Sequence, residues 1–122
     1  RSMENRLVTL WSYDKGQSWT SPDSTSVPNN NSGTDAVTLK DGRQLLVYNP
    51  TTRYEGKWGG PRYPISMAIS NNGKDWEKLA DLDTEEGEYS YPAVIQAKDG
   101  SIHITYTWKR EKIKHVIVKE KP

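Results

Sequence analysis

Two unrelated landmarks recur in this chain at almost the same spacing, and that repetition limits the fold more than any other feature. Trp19 closes the stretch SYDKGQSW (residues 12–19), and Trp76 closes SNNGKDW (residues 70–76), 57 residues further on. Gly42 lies in DAVTLKDGRQLLVYNP and Gly100 in PAVIQAKDGSIHITYTW, 58 residues apart. Both Lys-Asp-Gly triplets separate two apolar runs. An internal repeat of this length belongs to stacked or radial architectures rather than to a single irregular domain.

Each repeat decomposes into strands. Ala36 to Leu39 and Leu45 to Tyr48 are β-rich runs joined by KDGR, where Asp41-Gly42 suits a tight hairpin needing positive φ. Ile65 to Ser70 follows, then the Ser/Asn/Gly/Trp turn, then a shorter strand over Lys78 to Leu82. In that turn an Asp or Asn side chain accepts backbone N–H bonds, the Gly takes a φ closed to other residues, and the Trp covers the sheet. Ser12, Asp14, Gly16 and Trp19, and again Ser70, Asn72, Gly73 and Trp76, are therefore assigned to structure. Four antiparallel strands at this period describe a β-propeller blade. The expected fold is all-β, with about two blades of an incomplete ring. Residues 1–28 end one blade, 29–84 form a full blade, and 85–122 supply three strands of a further one.

Composition narrows the function classes. Hydrophobic residues make up 33% of the 122, there is no Phe, and five Trp and seven Tyr carry the apolar mass. No apolar run approaches the roughly 20 residues of a spanning helix. Seventeen basic against sixteen acidic residues give +1, so charge points to neither nucleic acid nor an anionic membrane. KREKIK (residues 109–114) is interrupted by Glu111 and Ile113 and reads as strand and turn. Without Cys, disulfides and thiolate metal sites are absent, while the compartment stays open. RSMENR has no apolar core and reads as no signal peptide, leaving export by a longer parent open. No Asp/Glu/His spacing suggests a metal-ligand set and no Gly-rich phosphate loop occurs, so neither metal nor cofactor is expected. His103 alternates with Ile102 and Ile104 and faces away from them, and His115 in KHVIV is similar. Asn30-Asn31-Ser32 matches a glycosylation acceptor.

S-x-D-x-G-x-x-W is the Asp-box, and the longer segments PNNNSGTDAVTLKDGRQLLVYNPT, GPRYPISMAISNNGKDW and GEYSYPAVIQAKDGSIHITYTWKREKIKHVIV resemble the BNR-repeat, sialidase-like family. They resemble the C-terminal part of its six-bladed propeller. The resemblance implies a glycan-active protein of glycoside hydrolase type. Sialidases clamp a substrate carboxylate with several Arg and attack with a Tyr activated by a Glu. They are the Tyr exception among glycosidases. On this basis Arg62 matches the third clamping Arg and Tyr89 the nucleophile. Arg forks bind a carboxylate through two parallel bonds that Lys does not reproduce. The activating Glu position falls on Gly33 and the second clamping Arg on Asn49. Asp35 and Arg53 stand nearby as substitutes.

Each residue has a plainer reading as well. Arg62 fits a surface ion pair, Tyr89 a hairpin-end aromatic and Tyr91 packing before a strand. Asp35 fits a backbone cap, and Arg110 with Lys109 a solvated edge. The expected partner is a glycan, an acidic sugar other than sialic acid at least as readily as sialic acid itself, and a lone chain is expected to be inactive. Two alternatives stand beside this one: a carbohydrate-binding propeller without catalysis, and a self-assembling piece that builds a ring from several copies. All three require the apolar flanks to be covered, by further blades or by self-association.

Overall fold

A computed structural model describes residues 1–120. Nine strands and no helix make up these residues: β1 (Arg6–Thr9), β2 (Asp23–Pro28), β3 (Asp35–Thr38), β4 (Gln44–Tyr48), β5 (Ile65–Ser70), β6 (Glu77–Asp83), β7 (Tyr89–Gln96), β8 (Ile102–Trp108) and β9 (Lys112–Val118). They form three antiparallel, blade-like sheets in sequence order, β1-β2, β3-β4-β5-β6 and β7-β8-β9.

The middle sheet explains the arrangement. β4 reads QLLVY and β5 reads ISMAIS, apolar or small at nearly every position, and both strands are buried almost throughout. A strand buried on one face alternates, whereas one covered on both faces need not. Leu46, Tyr48 and Ala68 pack with Val27 and Leu7 of the first sheet and with Trp76. Leu45, Val47, Ile65 and Met67 point the other way, into a larger core with Tyr89, Val94, Ile102, Ile104 and Tyr106 of the third sheet. The register places Leu45 opposite Ile69 and Val47 opposite Met67 on that second face. By contrast, β9 alternates in exposure and leaves Ile113 and Ile117 in solvent.

The two Lys-Asp-Gly hairpins are built alike. Leu39 N–H donates to Arg43 O and Gly42 N–H to Leu39 O; Ala97 to Ser101 and Gly100 to Ala97 repeat the pattern. Gly42 and Gly100 take φ of 92° and 91°, the left-handed conformation that a G1-bulged turn demands. The turns also touch each other, Lys40 N–H donating to Gln96 Oε1 at 2.7 Å.

The Asp-box turns follow one scheme with one difference. Ser12 Oγ accepts from Gly16 N–H at 2.7 Å, and Ser70 Oγ from Gly73 N–H at 2.8 Å. Asp14 Oδ1 accepts from Ser18 N–H, while Asn72 Oδ1 accepts from Lys74 and Asp75 N–H. Hydrogen bonds from the Ser18 hydroxyl and amide, then from Ser12, lower the Asp14 pKa to about 2. Trp76 covers the middle sheet as expected. Trp19 does not cover a sheet: it is 60% exposed and bonds back to Gly16 O on its own turn, because the two-stranded first sheet offers it no face.

Three outcomes follow for stability. Ile104 is fully buried, so Ile104→Ala is expected to cost about 2–5 kcal/mol in a denaturant melt. Ile113→Ala, at a solvent-exposed position, is expected to stay within about 0.5 kcal/mol. Asp14, with its folded pKa depressed, contributes stability that is complete above the ordinary carboxylate pKa and is lost as pH falls towards 2. The protection of the Gly16 and Ser18 amides, their exchange rate relative to the intrinsic rate at the same pH, should therefore fall as pH drops from 4 towards 2 in the parent and change less in Asp14→Asn.

Candidate functional site

At one end of the sheets a group of buried polar residues organises the loops. Asn29, Asn30, Asn31 and Ser32 follow β2 and are all buried. Asn29 Oδ1 accepts from Asn31 N–H and Asn30 Oδ1 from Ser32 N–H, while Asn30 Nδ2 donates to Pro61 O at 2.7 Å. A buried run of amides is tolerated because its polar atoms find partners. Asn30 therefore has neither the exposure nor the free amide that a glycosylation acceptor needs in the folded chain.

The β4–β5 connection is folded back on itself against this group. Thr51 Oγ1 donates to Pro61 O at 2.6 Å, and Tyr54 N–H donates to Gly59 O at 2.9 Å. A Cβ on Gly60 would lie 1.9 Å from Thr52 O, a backbone contact that no side chain there can relieve. The doubled loop delivers Arg62 to the rim, where its carbonyl accepts from Tyr89 N–H at 3.0 Å and so joins the middle and third sheets.

Arg62 and Arg110 converge on one carboxylate. Glu88 Oε1 lies 3.3 Å from Arg62 Nη1, and Glu88 Oε2 lies 2.9 Å from Arg110 Nε. Arg110 comes from the three-residue β8–β9 connection (109–111), in which Lys109 and Arg110 both hold positive φ, at 52° and 54°. Such a turn favours Asn-Gly. Here Lys109 N–H donates to the Glu88 carbonyl at 2.7 Å and clamps the turn onto the strand. Tyr91 sits at a bulge between Ser90 and Ala93 with φ of 53°, and a bulge re-aims a side chain. Its exposed ring faces the Arg62 guanidinium at 5.7 Å. The open groove beside these groups has a volume of about 390 Å³ and is lined by Tyr54, Arg62, Tyr63, Glu86, Glu88 and Arg110.

The remaining candidates lie elsewhere. Asn49 is buried; its Nδ2 donates to Pro64 O at 2.9 Å and Tyr89 O at 3.1 Å, and its Oδ1 accepts from Ser32. Its polar atoms are thus committed to holding the loops, at the position where the family resemblance sets a clamping Arg. Asp35 Oδ2 accepts from Val94 N–H at 2.9 Å, tying β3 to β7 as a backbone cap. Arg53 curls onto its own loop, donating to Lys57 O at 2.6 Å, and does not line the Arg62 groove. Tyr89 is fully buried in the main core, in edge-to-face contact with Tyr106 at 6.3 Å, and its hydroxyl has no partner among the described residues. Burial first, then the charges of Asp83 and Glu85, push its phenol above the ordinary value. This is the opposite of an activated nucleophile. Nor does it carry the solvent-facing hydroxyl of a hairpin-end aromatic, since the whole side chain is buried at the start of β7.

At the end of β6, Asp83 accepts from the Tyr106 hydroxyl and from Lys114 Nζ. Burial opposes its ionisation, but the hydrogen bonds of Lys114 and Tyr106 prevail and hold its pKa below the usual value. Glu88, Asp83 and Ser18 are working residues that no motif announced; Glu88 adjoins Tyr89 in sequence, the one local hint.

A family model described as BNR repeat-like domain matches residues 1–104. No curated protein matches the chain.

Asn49→Ala is expected to leave buried carbonyls at Pro64 and Tyr89 unpartnered, at about 1–3 kcal/mol each. The check is a denaturation midpoint well below the parent's, together with faster amide exchange at Tyr89, whose N–H bond to Arg62 depends on the same loop.

Proposed function

The chain belongs to the BNR repeat-like domain family, and from that premise we propose that its sheets are blades of a sialidase-like β-propeller that engages acidic sugars. The repeat supports the blade reading. β1 and β2 flank the first Asp-box as β5 and β6 flank the second. The first sheet covers one face of the middle sheet and the third sheet covers the other. The edge of β1 away from β2 has no strand partner among the described residues, whereas the equivalent edge of β5 pairs with β4. Further blades, from other copies or other chain, would complete the ring.

One observation carries the ligand reading: Arg62 and Arg110 converge on a single carboxylate at an open groove beside an exposed Tyr91. Glu88 there occupies the position that a sugar carboxylate would take or share. Guanidinium pairs recognise carboxylates through charge-assisted bonds worth about 1.5–3 kcal/mol each. The Tyr91 ring offers the flat apolar face against which a sugar ring packs.

Binding without hydrolysis by the lone chain is the form of the function that the site supports best. Tyr89 is buried, its phenol is pushed up rather than down, and among the described residues no side chain accepts its proton. Glycoside hydrolysis through a Tyr remains a reading for the complete ring only.

Titration of N-acetylneuraminic acid, glucuronic acid and glucose into the chain, followed by amide shifts, tests the proposal. The acidic sugars should move resonances of Arg62, Glu88, Tyr91 and Arg110, and glucose should not. Arg62→Ala with Arg110→Ala should weaken the acidic sugars about tenfold or more, whereas Tyr89→Phe should leave binding intact. Equal responses to glucose and to the acids, or unchanged affinity in the double variant, would overturn it.

A further inference from the structure

The outer face of the third sheet repeats a buried face of the middle sheet, with one change of chemistry. Across the middle sheet, Val37, Leu45 and Ile69 are in register, and Val47 pairs with Met67. The equivalent row in the third sheet is Ile95, His103 and Ile117, and the equivalent pair is Thr105 with His115. Ile95 and Ile117 keep the apolar positions of Val37 and Ile69, while Leu45 and Met67 are replaced by histidines and Val47 by Thr105. Nothing in the strand pairing requires imidazoles there.

The two rings are joined. His103 Nδ1 and His115 Nε2 are 2.9 Å apart, with the ring planes 21° apart and the centroids at 5.1 Å. Nitrogens this close between centroids that distant must face each other edge to edge. A hydrogen-bond chain sets which nitrogen carries the proton. The Ser101 hydroxyl donates to Asp99 Oδ1, so its oxygen accepts from His103 Nε2–H at 3.0 Å. His103 Nδ1 then bears a lone pair, and His115 Nε2–H donates to it. Imidazoles that hold metal ions are fixed in this way, their second N–H passed to a carboxylate, carbonyl or hydroxyl that sets the tautomer.

We propose that His103 and His115 form a binding site for a divalent first-row transition ion, with Cu(II) held most strongly and Ni(II) and Zn(II) less so. Metal–nitrogen bonds of about 2.05 Å at right angles place two nitrogens about 2.9 Å apart, the separation already present. A turn of the exposed His115 ring brings its lone pair beside that of His103. The His115 proton moves through solvent from Nε2 to Nδ1, so both imidazoles stay neutral and no proton is lost overall. Among the described residues no third His, Cys, Asp or Glu joins them, and water fills the remaining positions. Two nitrogen ligands at right angles suit Cu(II) and Ni(II), and the intrinsic order of affinities points the same way. Mg(II) and Ca(II), which require oxygen ligands, are rejected. The site is separate from the Arg62 groove and does not depend on the sugar reading; it belongs to the chain with this face open, because a further blade seated on the third sheet as the third sits on the middle one would cover it.

The test is titration of the metal-free chain with Cu(II), Ni(II), Zn(II) and Mg(II) near neutral pH, followed by electron paramagnetic resonance for copper and by calorimetry for all four ions. The expected result is one saturable Cu(II) site with a two-nitrogen signature, weaker Ni(II) and Zn(II) binding, and no Mg(II) binding. His103→Gln and His115→Gln should each weaken Cu(II) at least tenfold, and Asp99→Asn about tenfold through the relay. In the unaltered chain, substoichiometric Cu(II) should broaden both histidine Cε1–H resonances together. Absence of a saturable site, a site that survives in the double histidine variant, or broadening elsewhere without the histidines would overturn the proposal.

Discussion

A sheet covered on both faces holds a polar side chain in its central strands only where that side chain finds a partner, as Ser66 does in Asp81 and Ser70 in Gly73 N–H, and the rest of this structure is arranged around that constraint. β4 and β5 supply apolar or small residues in both directions, and their opposite faces recruit Val27 and Leu7 on one side and Ile104 and Tyr106 on the other. Removing water from both faces of one sheet orients its two neighbours. It also brings the loops at the ends of all three sheets into a common region, where Arg62, Glu88 and Arg110 meet although they come from three different connections.

The same region shows how polar groups are handled when they are enclosed. Asn49, Asn30 and Ser32 act as spacers whose hydrogen bonds replace a backbone ladder that irregular loops cannot form. Because their partners are mostly carbonyls of neighbouring loops, the network fixes distances between segments instead of stabilising any single one. Arg62 inherits its position from it: Pro61 is held by Asn30 and Thr51, and the Arg62 carbonyl by Tyr89. The chemistry at the rim is thus set by residues that never reach it.

Much of the architecture was legible in the sequence because the repeat is written in residues with few alternatives. Gly42 and Gly100 mark left-handed turns, and Trp19 and Trp76 mark the ends of the Asp-boxes. Antiparallel strands follow from the apolar runs between them. The site was legible only in part. Arg62, Arg110 and Tyr91 are together in space, but Glu88, the partner of the two arginines, carries no motif, and the family pattern that sets Asn49 at a clamping position says nothing about which way an amide points. Tyr89 reads as a nucleophile or a hairpin-end aromatic, and only the packing of Tyr106 from β8 against it shows a core residue. His103 and His115 stand twelve residues apart, and only strand register makes them neighbours. Trp19 shows the converse: an identical motif position behaves differently when no sheet lies beneath it.

The asparagine at position 30 carries a consequence of its own. An Asn-x-Ser acceptor is chemically competent only while its amide is accessible, and in the finished fold that amide is sealed under a proline carbonyl. In a secretory compartment, an attached oligosaccharide would have to arrive before the loop closes and would then keep it open. Speed of closure, rather than the acceptor sequence, would decide whether the polypeptide emerges native or permanently sugar-bearing and unfinished.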